Sequence, residues 1–175
     1  MGEFIESGMR FVFPDEMLFR IEHSQFYKQK KALSSVECLC LMNERMHFIE
    51  AKSSFPRAEN TSDFEKNLSE VSDKFLHSFE LFLSHFVNVN PLFPEETPTR
   101  IINYDFSQKR GIVFVLIINC RKIRKHCIPN MISTIQNSFL KRFAAHKSIW
   151  DIRFITLDHE SALSQKFIEG LDTSP

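Results

Sequence analysis

The residues best placed by type and spacing to do chemistry lie in two short stretches of the first third of the chain. Glu37 stands in the run "VECLCLM" (36–42), and Glu50, Ala51 and Lys52 close the run "HFIEAK" (47–52). Both runs are rich in strand formers, and "NER" between them fits a hairpin turn. Side chains alternate along a strand, which puts Phe48, Glu50 and Lys52 on one face and Ile49 and Ala51 on the other. With the turn near Asn43-Glu44-Arg45, Glu37 and residues 50–52 come to the same end of the antiparallel pair. A register that places Glu37 on the face of Glu50 brings the two within reach. Two carboxylates and an intervening backbone carbonyl are hard oxygen ligands, suited to magnesium or manganese. Such an ion polarises a phosphodiester and lowers the pKa of its bound water. A neighbouring lysine stabilises charge on the phosphoryl group.

Glu37, twelve residues, and then Glu50-Ala51-Lys52 resembles the (D/E)…(D/E)xK signature of the PD-(D/E)XK nuclease superfamily. The resemblance covers roughly Glu22 to Asn119, with the acidic pair on a hairpin followed by a helix, a strand and another helix. It implies a restriction-endonuclease-like fold and a nucleic-acid substrate. It also implies that Glu37, Glu50 and the Ala51 carbonyl hold a magnesium or manganese ion, and that Lys52 is the catalytic lysine. Glu22 takes the place of an outer acidic residue that the family often draws from its first helix. The chain departs from the family pattern in carrying Glu37 where Asp is usual, with no proline before it. Glu-x-Lys alone is a common tripeptide, and the superfamily includes inactive members. The alternative reading is therefore a non-catalytic protein-interaction module, or a dimerising subunit, of the same fold.

The elements that must position these residues are legible in the apolar spacing. Phe64, Leu68, Val71, Phe75, Phe79, Phe82 and Phe86 recur at steps of three or four, which predicts one amphipathic helix over 62–86 with its Phe stripe inward. Asp63, Glu65, Lys66, Glu70, Asp73 and Lys74 are assigned to its other faces. "GIVFVLIIN" (111–119) reads as a strand covered on both sides. "RIINYDF" (100–106) and "DIRFITL" (151–157) read as further strands. The segment 120–147 reads as helix, with Pro129 marking a break or a fresh start, and 158–171 as a helix capped near Asp158 or His159. At the N-terminal end, two apolar stretches flank a turn at Pro14-Asp15; 17–22 is left between strand and helical turn, and 24–35 between short polar helix and loop. The three prolines of 88–99 require a loop. The expected architecture is one α/β (or α+β) domain over 1–175, a central mixed β-sheet with a hairpin, flanked by helices.

Composition narrows the function classes. Nineteen Phe against one Trp and two Tyr suit a densely packed interior, with a few left to cover a partner. Basic and acidic residues balance at 22 each, which argues against a general nucleic-acid sponge. Three basic clusters, 28–31, 121–126 and 141–147, read as solvated helix faces and, in a nuclease, as guides for a phosphate backbone. Cys38, Cys40, Cys120 and Cys127 match no familiar zinc spacing and read as buried small hydrophobes. The seven His are scattered, and only His47, next to the hairpin strand, draws notice. Four Gly build neither a P-loop nor a dinucleotide fingerprint, and no G-x-S-x-G elbow occurs. No window has the apolar length of a membrane span. No signal peptide is apparent, and Glu6 stands where a myristoylation motif wants Ser or Thr. The expected setting is cytoplasmic, with nucleic acid, a protein partner or a second copy of the chain as the partners to consider.

Overall fold

Seven consecutive residues, Ile112–Ile118, are buried without exception, and the molecule is built on the two faces of the strand they form. The computed structural model describes residues 1–28, 33–87, 89, 95–106 and 111–171. In chain order the strands are β1 (Gly2–Glu6), β2 (Met9–Phe13), β3 (Leu18–Phe19), β4 (Cys38–Met42), β5 (Arg45–Lys52), β6 (Ile112–Ile118), β7 (Ile152–Asp158) and β8 (Gly170–Leu171). The helices are α1 (Gln25–Lys28), α2 (Thr61–Phe86), α3 (Thr99–Ile102), α4 (Ile128–Arg142), α5 (Ala144–Trp150) and α6 (His159–Ser164).

The five strands β3-β4-β5-β6-β7 lie in that order in one mixed sheet. β4 runs antiparallel to both neighbours, and β5, β6 and β7 run parallel. A second sheet of β1-β2-β8 is antiparallel. The fold is thus mixed α/β, a five-stranded sheet flanked by helices, as its alternating strand and helix patterns require. The acidic hairpin, the long helix, the buried strand and the next helix follow one another in the expected order.

Alternation along β5 sorts its side chains as the sequence indicates. Met46 and Phe48 join the core beneath α2 and α4, while Ile49 and Ala51 join the opposite core beneath β2 and α6. The helix-side core is an aromatic lattice. Phe48 meets Phe79, Phe82 and Phe114 edge-on at 5.5–6.0 Å, and Phe75 stacks on Phe114 at 4.8 Å. Such arrangements add to plain area burial. No Phe among the described side chains is exposed, so the Phe content is spent on packing.

Several elements differ from expectation for local reasons. The hairpin turn is Asn43-Glu44, both at positive φ, so Arg45 already belongs to β5; a two-residue turn of this hand matches strand twist. Residues 2–6, not foreseen as a strand, pair with β2 around Ser7-Gly8, again both at positive φ. The 100–106 segment is not a strand. Pro98 has φ −55°, and its carbonyl accepts from the Ile101 and Ile102 N–H groups, which winds a single turn of α3. The helix expected from 120 begins only at Ile128, with Pro129 in its first turn where no N–H is needed. Asp158 does cap α6, accepting from Ser161 N at 2.9 Å. That helix stops early, because Lys166 is left-handed and turns Phe167 and Ile168 back into the core. Half of the 88–99 loop, most of the 28–31 basic cluster and the tail 172–175 lie outside the described residues.

Phe114 lies at the centre of the aromatic lattice, fully buried. Phe114→Ala is expected to cost about 3–5 kcal/mol in urea unfolding. A loss under about 1 kcal/mol would mean that this core collapses around the gap.

Candidate functional site

The β4–β5 register pairs Cys38 with Ile49 and Leu39 with Phe48. One further step sets Glu37 opposite Glu50. Glu50 faces α2 and is wholly shielded from solvent. β6 locks its strand from the other side, in register Glu50 with Leu116. α2 crosses this face with Val71, Phe75 and Ser78 turned inward. Ser78 Oγ accepts from Val36 N at 2.9 Å, which fixes the backbone immediately before Glu37.

Lys74, between Val71 and Ser78, points the same way. Its Nζ lies 2.8 Å from Glu50 Oε1 and 3.4 Å from Glu37 Oε1. Lys52 stands at the open end, its Nζ 3.7 Å from Glu50 Oε1 and its side chain 23% exposed. The second Glu50 oxygen, Oε2, is buried without a hydrogen-bond partner among the described residues.

Glu22 sits on the short 3-10 turn Ile21–His23 rather than on a first helix. Arg20 joins it to the hairpin, donating from Nη2 to Glu22 Oε1 at 2.8 Å and from Nε to the Glu37 carbonyl at 3.1 Å. The same guanidinium lies 3.9 Å over the Phe4 ring. Glu6, at the end of β1, completes an acidic group: carboxylate oxygens of Glu6, Glu22 and Glu37 all lie within 4.8 Å of one another.

The turn after Glu6 also reaches the site. Ser7 Oγ donates to the Ala51 carbonyl at 3.1 Å, and Asn119 Nδ2 donates to the Ser7 carbonyl at 3.1 Å. A side chain at Gly8 would press against that amide, 3.1 Å from a built Cβ.

Glu22, Glu37, Glu50 and Lys52 are therefore brought together at the carboxyl end of β5, with the Ala51 carbonyl engaged by Ser7. Glu6 and Lys74 were not foreseen. A Ser-Gly pair between two apolar runs is the hairpin signal that places Glu6. Lys74 is three residues past Val71 and four before Ser78, spacing that aims it along the buried stripe.

Burial dominates the electrostatics. It pushes Glu37 up to about 8, aided by repulsion from Glu50 and opposed by Lys74. It raises Glu50 as well, against the pull of Lys74 and Lys52. For Lys74 burial works against the charge, but the Glu50 and Glu37 carboxylates outweigh it and raise its pKa. Against the carboxylates of Glu6, Glu22, Glu37 and Glu50 the site sets Lys74, Lys52 and Arg20, so a proton or a further cation takes up the remaining charge. The unpartnered Glu50 oxygen and the cluster of carboxylate oxygens have the hard-ligand chemistry of a magnesium or manganese site, so the residues present fit such an ion.

Other candidates resolve into packing. His47 is buried on the opposite face, its Nδ1 3.0 Å from the Arg45 carbonyl and its ring 5.8 Å from Phe167. Burial lowers its pKa. Cys38, Cys40 and Cys120 are buried free thiols. The 121–126 cluster is exposed at Arg121, Lys122, Arg124, Lys125 and His126. It borders a cleft of about 230 Å³ shared with Arg57 and Phe64. The loops that carry Arg57 and His126 leave the carboxyl ends of β5 and β6, the edge where open α/β sheets bind ligands.

A carboxyl whose folded pKa lies above its unfolded value contributes stability below the unfolded pKa and loses it as pH rises through the folded one. With Glu37 at about 8, the metal-free protein is expected to lose stability between about pH 5 and pH 8. Lys74 acts only above this window. Glu37→Gln is expected to flatten the slope of urea midpoint against pH in EDTA; a wild-type midpoint that rises across the interval would contradict the assignment. No family model, curated protein or solved structure matches the chain, which leaves the geometry of these residues as the ground for giving them a role.

Proposed function

We propose that the chain is a metal-dependent nuclease-like protein that hydrolyses a nucleic-acid phosphodiester at the carboxyl end of the β4–β5 hairpin. The observation that carries this reading is that Glu37, immediately before β4, and Glu50, on β5, converge on one cation, the Lys74 ammonium. Glu37 and Glu50 are the residues to hold a magnesium or manganese ion, with Glu22 and Glu6 adding negative charge beside them. When bound, that ion supplies Lewis acidity to the phosphodiester and its attacking water. Lys52, partly exposed at the rim, stabilises charge on the phosphoryl group. The Phe lattice beneath β5 holds both carboxylates rigidly, and the basic 121–126 loop on the same sheet edge neutralises backbone phosphates without reading bases. The restriction-endonuclease-like resemblance is supported by the order of hairpin, helix, parallel strand and helix.

A second reading is a non-catalytic interaction module of the same fold, with a protein partner or a second copy of the chain. Lys74 on the acidic pair and Ser7 on the Ala51 carbonyl favour it, since each of these positions already has a partner within the chain. A Phe-rich docking surface, which would also favour it, is not found among the described residues.

With manganese or magnesium present, the wild type is expected to cut single- or double-stranded DNA or RNA. Lys52→Ala is expected to slow cutting by about 10²-fold while leaving manganese affinity unchanged in calorimetry, whereas Glu50→Gln removes both. Manganese binding that depends on Glu50, without cleavage of any of these polymers, would favour the second reading.

A further inference from the structure

We propose that Lys74 is a built-in competitor for the cation position, and that a divalent ion enters the Glu37–Glu50 pair only by displacing its ammonium. The inference rests on the metal-site reading given above and adds how that site is controlled.

Three observations carry it. Lys74 Nζ touches one oxygen of each carboxylate, at 2.8 Å and 3.4 Å, which is where an ion bridging the two strands would sit. Glu50 Oε2 is buried and unpartnered among the described residues, so the lysine leaves half of the innermost carboxylate unsatisfied. A dication, which accepts several oxygen ligands where an ammonium offers only hydrogen bonds, uses both halves.

Lys74 is free to leave. Its side chain is 25% exposed, so its flexible four-carbon stem already borders solvent. Arg20, the neighbouring cation, is tied to Glu22 and to the Glu37 carbonyl, and Lys52 is on the rim. Neither replaces the lysine between the carboxylates. Ser7 acts in parallel at the third ligand position, where its hydroxyl covers the Ala51 carbonyl. In this arrangement the site is closed by its own side chains, and ion binding is an exchange rather than an addition.

Manganese titration by calorimetry of wild type, Lys74→Gln and Lys74→Arg tests this directly. Removing the competing charge is expected to tighten manganese binding by at least about tenfold in Lys74→Gln, while Lys74→Arg, which keeps the charge, stays near or below wild type. Glu50→Gln placed in the Lys74→Gln background is expected to abolish the gain. Manganese affinity that is unchanged or weaker in Lys74→Gln would overturn the competitor role and leave the metal site standing, with Lys74 holding Glu50 in place. Absence of manganese binding in every variant would overturn the metal site and the competitor together. A second measurement needs no substitution. In the wild type, acetylation of the Lys74 amine, read by mass spectrometry, is expected to speed up several-fold on adding manganese, and an unchanged or slower rate would overturn the displacement.

Discussion

A carboxylate with no access to water, Glu50, held by a lysine from the long helix, is the contact on which the rest of the site depends. Burying such a charge among Phe side chains is tolerable only with a cation beside it. Lys74 supplies that cation, placed there by the rotation that the buried stripe of α2 imposes. The helix turn that carries it also carries Val71 and Phe75 into the core and Ser78 onto the backbone of Val36. Breaking one side of a buried pair typically costs about 3–5 kcal/mol, whereas apolar replacements of both partners are often neutral or better. Stability alone is thus a weak reason for this chain to keep an ion pair in an aromatic core. The pair makes more sense as part of a site.

The surroundings point the same way. Glu6 ends β1, Glu22 lies on a 3-10 turn, Glu37 precedes β4 and Glu50 lies on β5, yet they meet at one end of the sheet. Arg20 and Ser7 tie the first segment of the chain to the hairpin at Glu37 and Ala51. The N-terminal strands, which pack on the opposite face of the sheet, thereby help to wall the site. The two functional readings differ in one physical respect, whether the internal ammonium yields to a stronger cation.

Much of this was readable in the sequence, and the exceptions have physical causes. The unbroken apolar run of 112–118 and the Phe period of α2 are long enough to outweigh local preferences. Strand alternation correctly set Phe48 and Glu50 on one face and Ile49 and Ala51 on the other. Glu37 could be paired with Glu50 only conditionally, because hairpin register depends on the turn, and the turn is Asn43-Glu44 rather than one centred on all three polar residues. In the sequence Lys74 looks like the other charged residues of α2, off the Phe stripe, because nothing local sets it apart. Its inward orientation depends on partners 24 and 37 residues away in the chain, Glu50 and Glu37, which spacing cannot reveal. Residues 100–106 have strand composition, yet Pro98 starts a helical turn there. Glu6 was overlooked because β1 is short and half exposed, which weakens the period-two signal.

The central claim is that the Glu37–Glu50 pair is a cation site whose resident lysine can be exchanged. A crystal of the wild-type protein soaked in manganese, with diffraction collected for the manganese anomalous signal, tests it most directly. The account predicts an anomalous peak within coordination distance of both carboxylates and Lys74 turned out toward solvent. A peak elsewhere, or Lys74 still seated between Glu37 and Glu50 in the presence of the ion, would contradict it.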